Sequence, residues 1–197
     1  MTFARTTAFL ALLPLLATSP ASAQSISVSV SRSILADQPY TLIYPDFMIA
    51  TGAAGEPVTI NHPEAPLQCT SEIVQVEDTG WTAQSALDNL DEGEVVKGWI
   101  DRFPGFTITN KAITRYQSGD ALLYEGTSTD SPMDMPLTIV HTETVDGPRG
   151  YSLDCLYATE YEQQARPIVN FIIANFSTHS DADCCVGMKV EDTATPQ

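Results

Sequence analysis

The chain has 197 residues, and its 25 acidic against 9 basic side chains give a formal charge of −16. A field this negative repels nucleic acid and anionic lipid and argues against both as partners. Beyond the N-terminal segment no apolar run approaches the ~20 residues needed to span a bilayer, and the length suits one domain.

Residues 1–23 read as a secretory signal peptide. Arg5 supplies the short positive region, and Leu10, Leu12, Leu13, Leu15 and Leu16 the apolar run. Ala21-Ser22-Ala23 has the A-x-A form of a cleavage site before Gln24. Residues 24–197, or 197 − 23 = 174 residues, are then expected to form a single exported α+β domain.

Ile26, Val28 and Val30 alternate with serines, which predicts a first edge strand over 26–32. Tyr40–Tyr44 is a second strand, stopped by Pro45-Asp46. Residues 48–66 are loop-rich in Gly and Pro, with a short strand at Val58–Ile60. Leu67–Val76 is the next strand. Thr82 is the expected N-cap of a short helix with Ala83, Ala86, Leu87 and Leu90 on one face, ended by Asp91-Glu92-Gly93. The pattern leaves Val95–Ile100 open between helix and strand.

Phe106–Asn110 and Ile113–Tyr116 read as strands about a tight bend, with a turn at Ser118-Gly119-Asp120 before the strand Ala121–Gly126. Residues 127–136 are loop, Leu137–Val145 is strongly β-forming, and Asp146-Gly147-Pro148 turns into another strand. In that strand Tyr151, Leu153, Cys155 and Tyr157 share one face. Thr159 and Glu162 match a capping box, and Tyr161, Ala165, Ile168, Ile172 and Phe176 form an apolar helical stripe. Pro167 within it predicts a kinked or two-part helix. A polar loop over 178–185, a short strand over 186–190 and a frayed tail complete the expectation.

The elements make a mainly antiparallel sheet covered by a long C-terminal helix and a short early helix. Four cysteines in an exported chain imply disulfides: Cys69, Cys155, Cys184 and Cys185. A ring closed between neighbours is rare, so the expected pattern ties Cys184 and Cys185 back to Cys69 and Cys155, in either order.

The succession YTLIYPDF, WTAQSALDNL, GDALLYEGT and GYSLDCLYATEYEQQARPIVNFIIANF resembles the PsbP-like α-β-α sandwich group. That group also holds the Ran-binding nucleotide-release factor and exported bacterial proteins. The resemblance covers roughly residues 38–177, and the chain departs from it where the last helix ends Ala174-Asn175-Phe176-Ser177 instead of in a serine-phenylalanine pair. It implies a scaffold used for binding or assembly and no active site, with no binding-surface residue to carry over.

Several groups of residues carry side chains suited to chemistry. His179, Asp181, Asp183, Cys184 and Cys185 offer zinc or copper donors, but an exported compartment favours disulfides, and no metal or other cofactor is expected. His141 and Glu143 lie on one strand face, as an acid–base pair would, and His62 stands near Glu64 in loop sequence. Asp130 and Asp134 could hold calcium weakly, and Asp91, Glu92 and Glu94 sit at a helix end. Trp81, Trp99, Phe103 and Phe106 are read either as core or as the rim of a recognition surface. No G-x-S-x-G, H-E-x-x-H or phosphate loop occurs.

The reading is a disulfide-stabilised, monomeric, non-catalytic binding or accessory protein, periplasmic or secreted, with a protein partner. The alternative is a small periplasmic hydrolase built from dispersed His, carboxylate and hydroxyl groups.

Overall fold

A computed structural model describes residues 30–32, 38–53, 55–77 and 80–185. The expected signal peptide and the strand over 186–190 lie outside these residues. Nine strands and three helices follow in chain order: β1 (Val30–Arg32), β2 (Ile43–Pro45), β3 (Ile49–Thr51), β4 (Val58–Asn61), β5 (Leu67–Gln75), α1 (Ala83–Asp88), α2 (Glu92–Ile100), β6 (Thr107–Tyr116), β7 (Gly119–Ser128), β8 (Leu137–Asp146), β9 (Arg149–Ala158) and α3 (Glu162–Ala174). Seven strands form one antiparallel sheet in the order β3-β4-β5-β9-β8-β7-β6, and β1 and β2 pair separately. The chain meanders through β3 to β5, crosses by α1 and α2 to the far edge, and returns through β6 to β9. The last strand thus closes beside β5.

Period-2 alternation sets the faces. Leu67, Cys69 and Ser71 of β5 pair with Tyr157, Cys155 and Leu153 of β9, and all six are buried. α3 lays Ala165, Val169 and Ile172 on this face, and Phe176 beyond its end packs 4.7 Å from Tyr116. Arg166 pins α3 to β7: Nη1 donates to Glu125 Oε1 at 2.6 Å and Nη2 to Oε2 at 3.2 Å, while Nε donates to Glu162 at 2.8 Å. A bidentate guanidinium–carboxylate pair this sheltered fixes orientation as well as adding energy.

Several local expectations change. Asp91 does not end a helix but starts one: its side chain accepts from the backbone N–H of Gly93 (2.9 Å) and Glu94 (3.1 Å), so Val95–Ile100 belongs to α2. Thr82 does cap α1, accepting from Ser85 N at 3.1 Å. Residues 107–116 are one continuous strand with a bulge between Ile108 and Asn110, not two around a bend; the bulge absorbs the break in alternation. The capping box does not form: Thr159 bonds Thr138 at 3.1 Å, and Glu162 is held by Tyr157 and Arg166. A single 3-10 turn, Thr159–Tyr161, leads directly into α3, and Pro167 lies within α3 rather than at its start. Gly147, at φ 57°, makes the β8–β9 turn that a side chain would strain.

The disulfide pairing also differs from expectation. Cys69 bonds Cys155, and Cys184 bonds Cys185. The cause is register: Cys69 and Cys155 are direct cross-strand partners with Cα atoms 4.0 Å apart, buried beneath α3. Cys184 and Cys185 lie past α3, where Gln117 donates to Asp183 O at 2.6 Å and Thr41 Oγ1 accepts from Ala182 N at 3.3 Å.

Candidate functional site

The second face of the sheet is covered only in part. α1 and α2 pack over β6 and β7. Beneath them Trp99, Phe103, Phe106, Tyr124, Leu137 and Ile139 form a second buried core. Among the described residues no helix covers the remainder. There the register places Thr51 of β3, Thr59 of β4, Gln68, Thr70 and Glu72 of β5, and Ser152 and Asp154 of β9 on one polar surface. Ile49 at the edge is 55% exposed and Val74 50%.

His141 stands where the covered and open parts of this face meet. β8 and β9 pair it directly with Asp154, and Glu143 lies two residues along β8 on the same side. Its Nδ1 is 2.5 Å from Asp154 Oδ1, and its Nε2 is 3.3 Å from Glu143 Oε2. The Tyr124 ring stacks on the imidazole at 4.4 Å and 19°, and Trp99 meets its edge at 6.2 Å. Trp99 Nε1 in turn donates to the Tyr124 hydroxyl at 2.7 Å.

The protonation state follows from this enclosure. Burial alone pulls the imidazole toward neutrality, but hydrogen bonds and charge attraction from Asp154 and Glu143 outweigh it and raise the pKa to about 9. Only the imidazolium donates from both nitrogens, which is what two facing carboxylates require. Burial likewise holds the Tyr124 hydroxyl protonated beyond its ordinary range, its bond from Trp99 opposing this only partly. At neutral pH the imidazole is protonated and held from both sides by carboxyl groups. A general base needs a free ring nitrogen, and here neither is free.

The other nominated residues fall elsewhere. His62 Nδ1 accepts from the backbone N–H of Glu64 (3.1 Å) and Ala65 (2.9 Å), so it organises the β4–β5 loop. His179 is exposed, 3.8 Å from Asp146. Asp130 and Asp134 lie in the loop between β7 and β8, where Asp134 N donates to Ser131 O at 3.1 Å. Glu92 and Glu94 are paired with Lys111 and Lys97, each at 2.6 Å. Among the described residues no set of three or more His, Cys, Asp or Glu is arranged to hold a metal ion.

The four aromatics separate. Trp99, Phe103 and Phe106 are buried around one another at ring distances of 5.6 and 5.8 Å. Their bulk fills the space beneath α2 as part of the second core. Trp81 lies apart, half-buried beside a cavity of about 450 Å³ that Asp120, Asp146 and His179 also line. Sequence reasoning missed Asp154 and Tyr124 as partners of His141. Their alternation was visible, but only the β7–β8–β9 register puts the three side by side.

The fold, helices on a seven-stranded antiparallel sheet, is similar to that of PsbP. The solution structure of the PsbP of a cyanobacterium, CyanoP of Synechocystis, superposes with a TM-score of 0.53 at 15% identity, over 76% of this chain and 92% of that one. Further matches are LpqN of Mycobacterium tuberculosis, involved in cell envelope biogenesis (12% identity, 78% and 87% covered, TM-score 0.49), and the Saccharomyces cerevisiae Ran-binding protein Mog1p (6% identity, 73% and 85% covered, TM-score 0.48). No family model matches the sequence, and no curated protein matches it.

Proposed function

We propose that the protein is an exported, non-catalytic binding or accessory protein that engages a protein partner in the periplasm or outside the cell. The observation that carries this reading is the state of His141. The histidine with the most perturbed environment has both nitrogens bound to carboxylates, so it positions the rim of the open sheet face and supplies no base. The buried Cys69–Cys155 bond supports an oxidising compartment. So does the A-x-A signal that ends residues 1–23, leaving residues 24–197 as one exported domain. No helix among the described residues is long and apolar enough to cross a membrane.

The test is position-specific crosslinking in the native host. A photoreactive residue at Gln68, on the open face, is expected to give a discrete protein adduct. The same residue at Gln163, exposed on α3, is expected to give none. Turnover of an ester or peptide substrate that is lost in H141Q, without a crosslink from Gln68, would overturn the reading.

A further inference from the structure

On the face that carries α3, the end of β5 opens into a second cavity of about 340 Å³. Its size falls at the low end of small-molecule sites, which run from roughly 300 to 1,000 Å³. Ser71 and Gln75 of β5, Arg149 of β9, and Tyr40, Glu56 and Pro57 are among its lining residues. This cavity lies on the opposite side of the sheet from the open face, so it stands whether or not that face docks a protein.

Two features of the lining are unusual for this chain. Ser71 is 1% exposed, and its Oγ lies beside the Tyr40 hydroxyl with no hydrogen bond that satisfies it among the described residues. Buried hydroxyls are ordinarily partnered, so an enclosed one at a cavity wall marks a position where a ligand atom would be rewarded. The second is Arg149. Lys97, Lys111, Arg115 and Arg166 are spent in ion pairs, and Arg102 lies over the rings of Trp99 and Phe103. Among the described residues Arg149 has no such ion pair or ring contact, and it lines this cavity in a chain of charge −16.

The charge balance narrows the ligand. A guanidinium is the group that recognises a carboxylate through paired N–H donors. Yet a bare anion would enter against the field of the whole molecule, and Glu56 also lines the cavity. A molecule carrying both a carboxylate and an ammonium, with no net charge, meets Arg149 and an acidic side chain without that penalty. We infer that the cavity between Tyr40, Ser71, Glu56 and Arg149 binds a free α-amino acid, its carboxylate on Arg149 and its ammonium toward Glu56, with Ser71 at its floor.

The experiment is a ¹⁵N–¹H NMR titration of the full exported chain with L-alanine and L-glutamine, and with propionate and ethylamine as half-ligands. At least one amino acid is expected to give saturable shifts at the Ser71, Gln75 and Arg149 amides in the millimolar range. Propionate should bind about tenfold more weakly and ethylamine not measurably. R149M should weaken amino-acid binding by at least tenfold, and S71A several-fold, while the spectra elsewhere stay unchanged. Absence of saturable shifts with both amino acids, equal binding of propionate, or undiminished binding in R149M would each overturn the inference.

Discussion

Raising the pH across the His141 transition should loosen the fold by an amount the site itself sets. In the unfolded chain the imidazole titrates near its ordinary 6.5, whereas in the fold its pKa is about 9. The folded state therefore binds the proton more tightly. The resulting stability is fully present below about pH 6.5 and is lost as pH climbs through about 9. At about 1.4 kcal/mol for each tenfold difference in proton affinity, the loss amounts to about 3 kcal/mol. His141 is nearly buried, so solvent screening takes little from that figure. Burial holds Tyr116, Tyr124 and Tyr157 protonated above their ordinary value, and their contribution is lost only above about pH 10. The window from about pH 6.5 to 9.5 thus belongs to His141. Urea denaturation at intervals across it, with disulfides intact, should show the wild type losing about 3 kcal/mol and H141Q losing little. Parallel decline of the two proteins would refute the argument.

Two further perturbations test the packing. Replacing Cys69 and Cys155 by serine removes a crosslink spanning 86 residues and should cost about 4 kcal/mol by urea denaturation; a change under about 1 kcal/mol would show that β5 and β9 hold their register without it. A Cβ on Gly126 would collide with the Phe106 ring and lie 2.7 Å from Thr107 O, so G126A should cost about 2 kcal/mol and lower Tm; unchanged stability would mean that the second core is loosely packed around Trp99.

The sheet was legible because its strands carry strong alternation, as in Tyr151, Leu153, Cys155 and Tyr157, and because the stripe from Ala165 to Phe176 is broad enough to lie on a sheet face. The order of elements was enough to point to the PsbP-like architecture. Asp91 was misplaced because the same side chain that closes one helix can cap the next, and only the amide directions of Gly93 and Glu94 decide. The disulfide pairing depended on strand register, which alternation alone does not specify. The His141 cluster was half legible. Glu143 shares its strand and was found, whereas Asp154 and Tyr124 reach it across two ladders that no local pattern encodes. The split of Trp81 from Trp99, Phe103 and Phe106 likewise depended on α2, whose existence the sequence left open.

The state of the His141 ring tests the account most directly, because the reading rests on a ring held by two carboxyl groups and a hydrolase needs a free ring nitrogen. ¹⁵N NMR of the imidazole at pH 7.5 should show both nitrogens protonated, with the transition to a single proton centred at about 9. A neutral ring at pH 7.5, with one nitrogen unprotonated, would contradict the account and restore His141 as a base for catalysis.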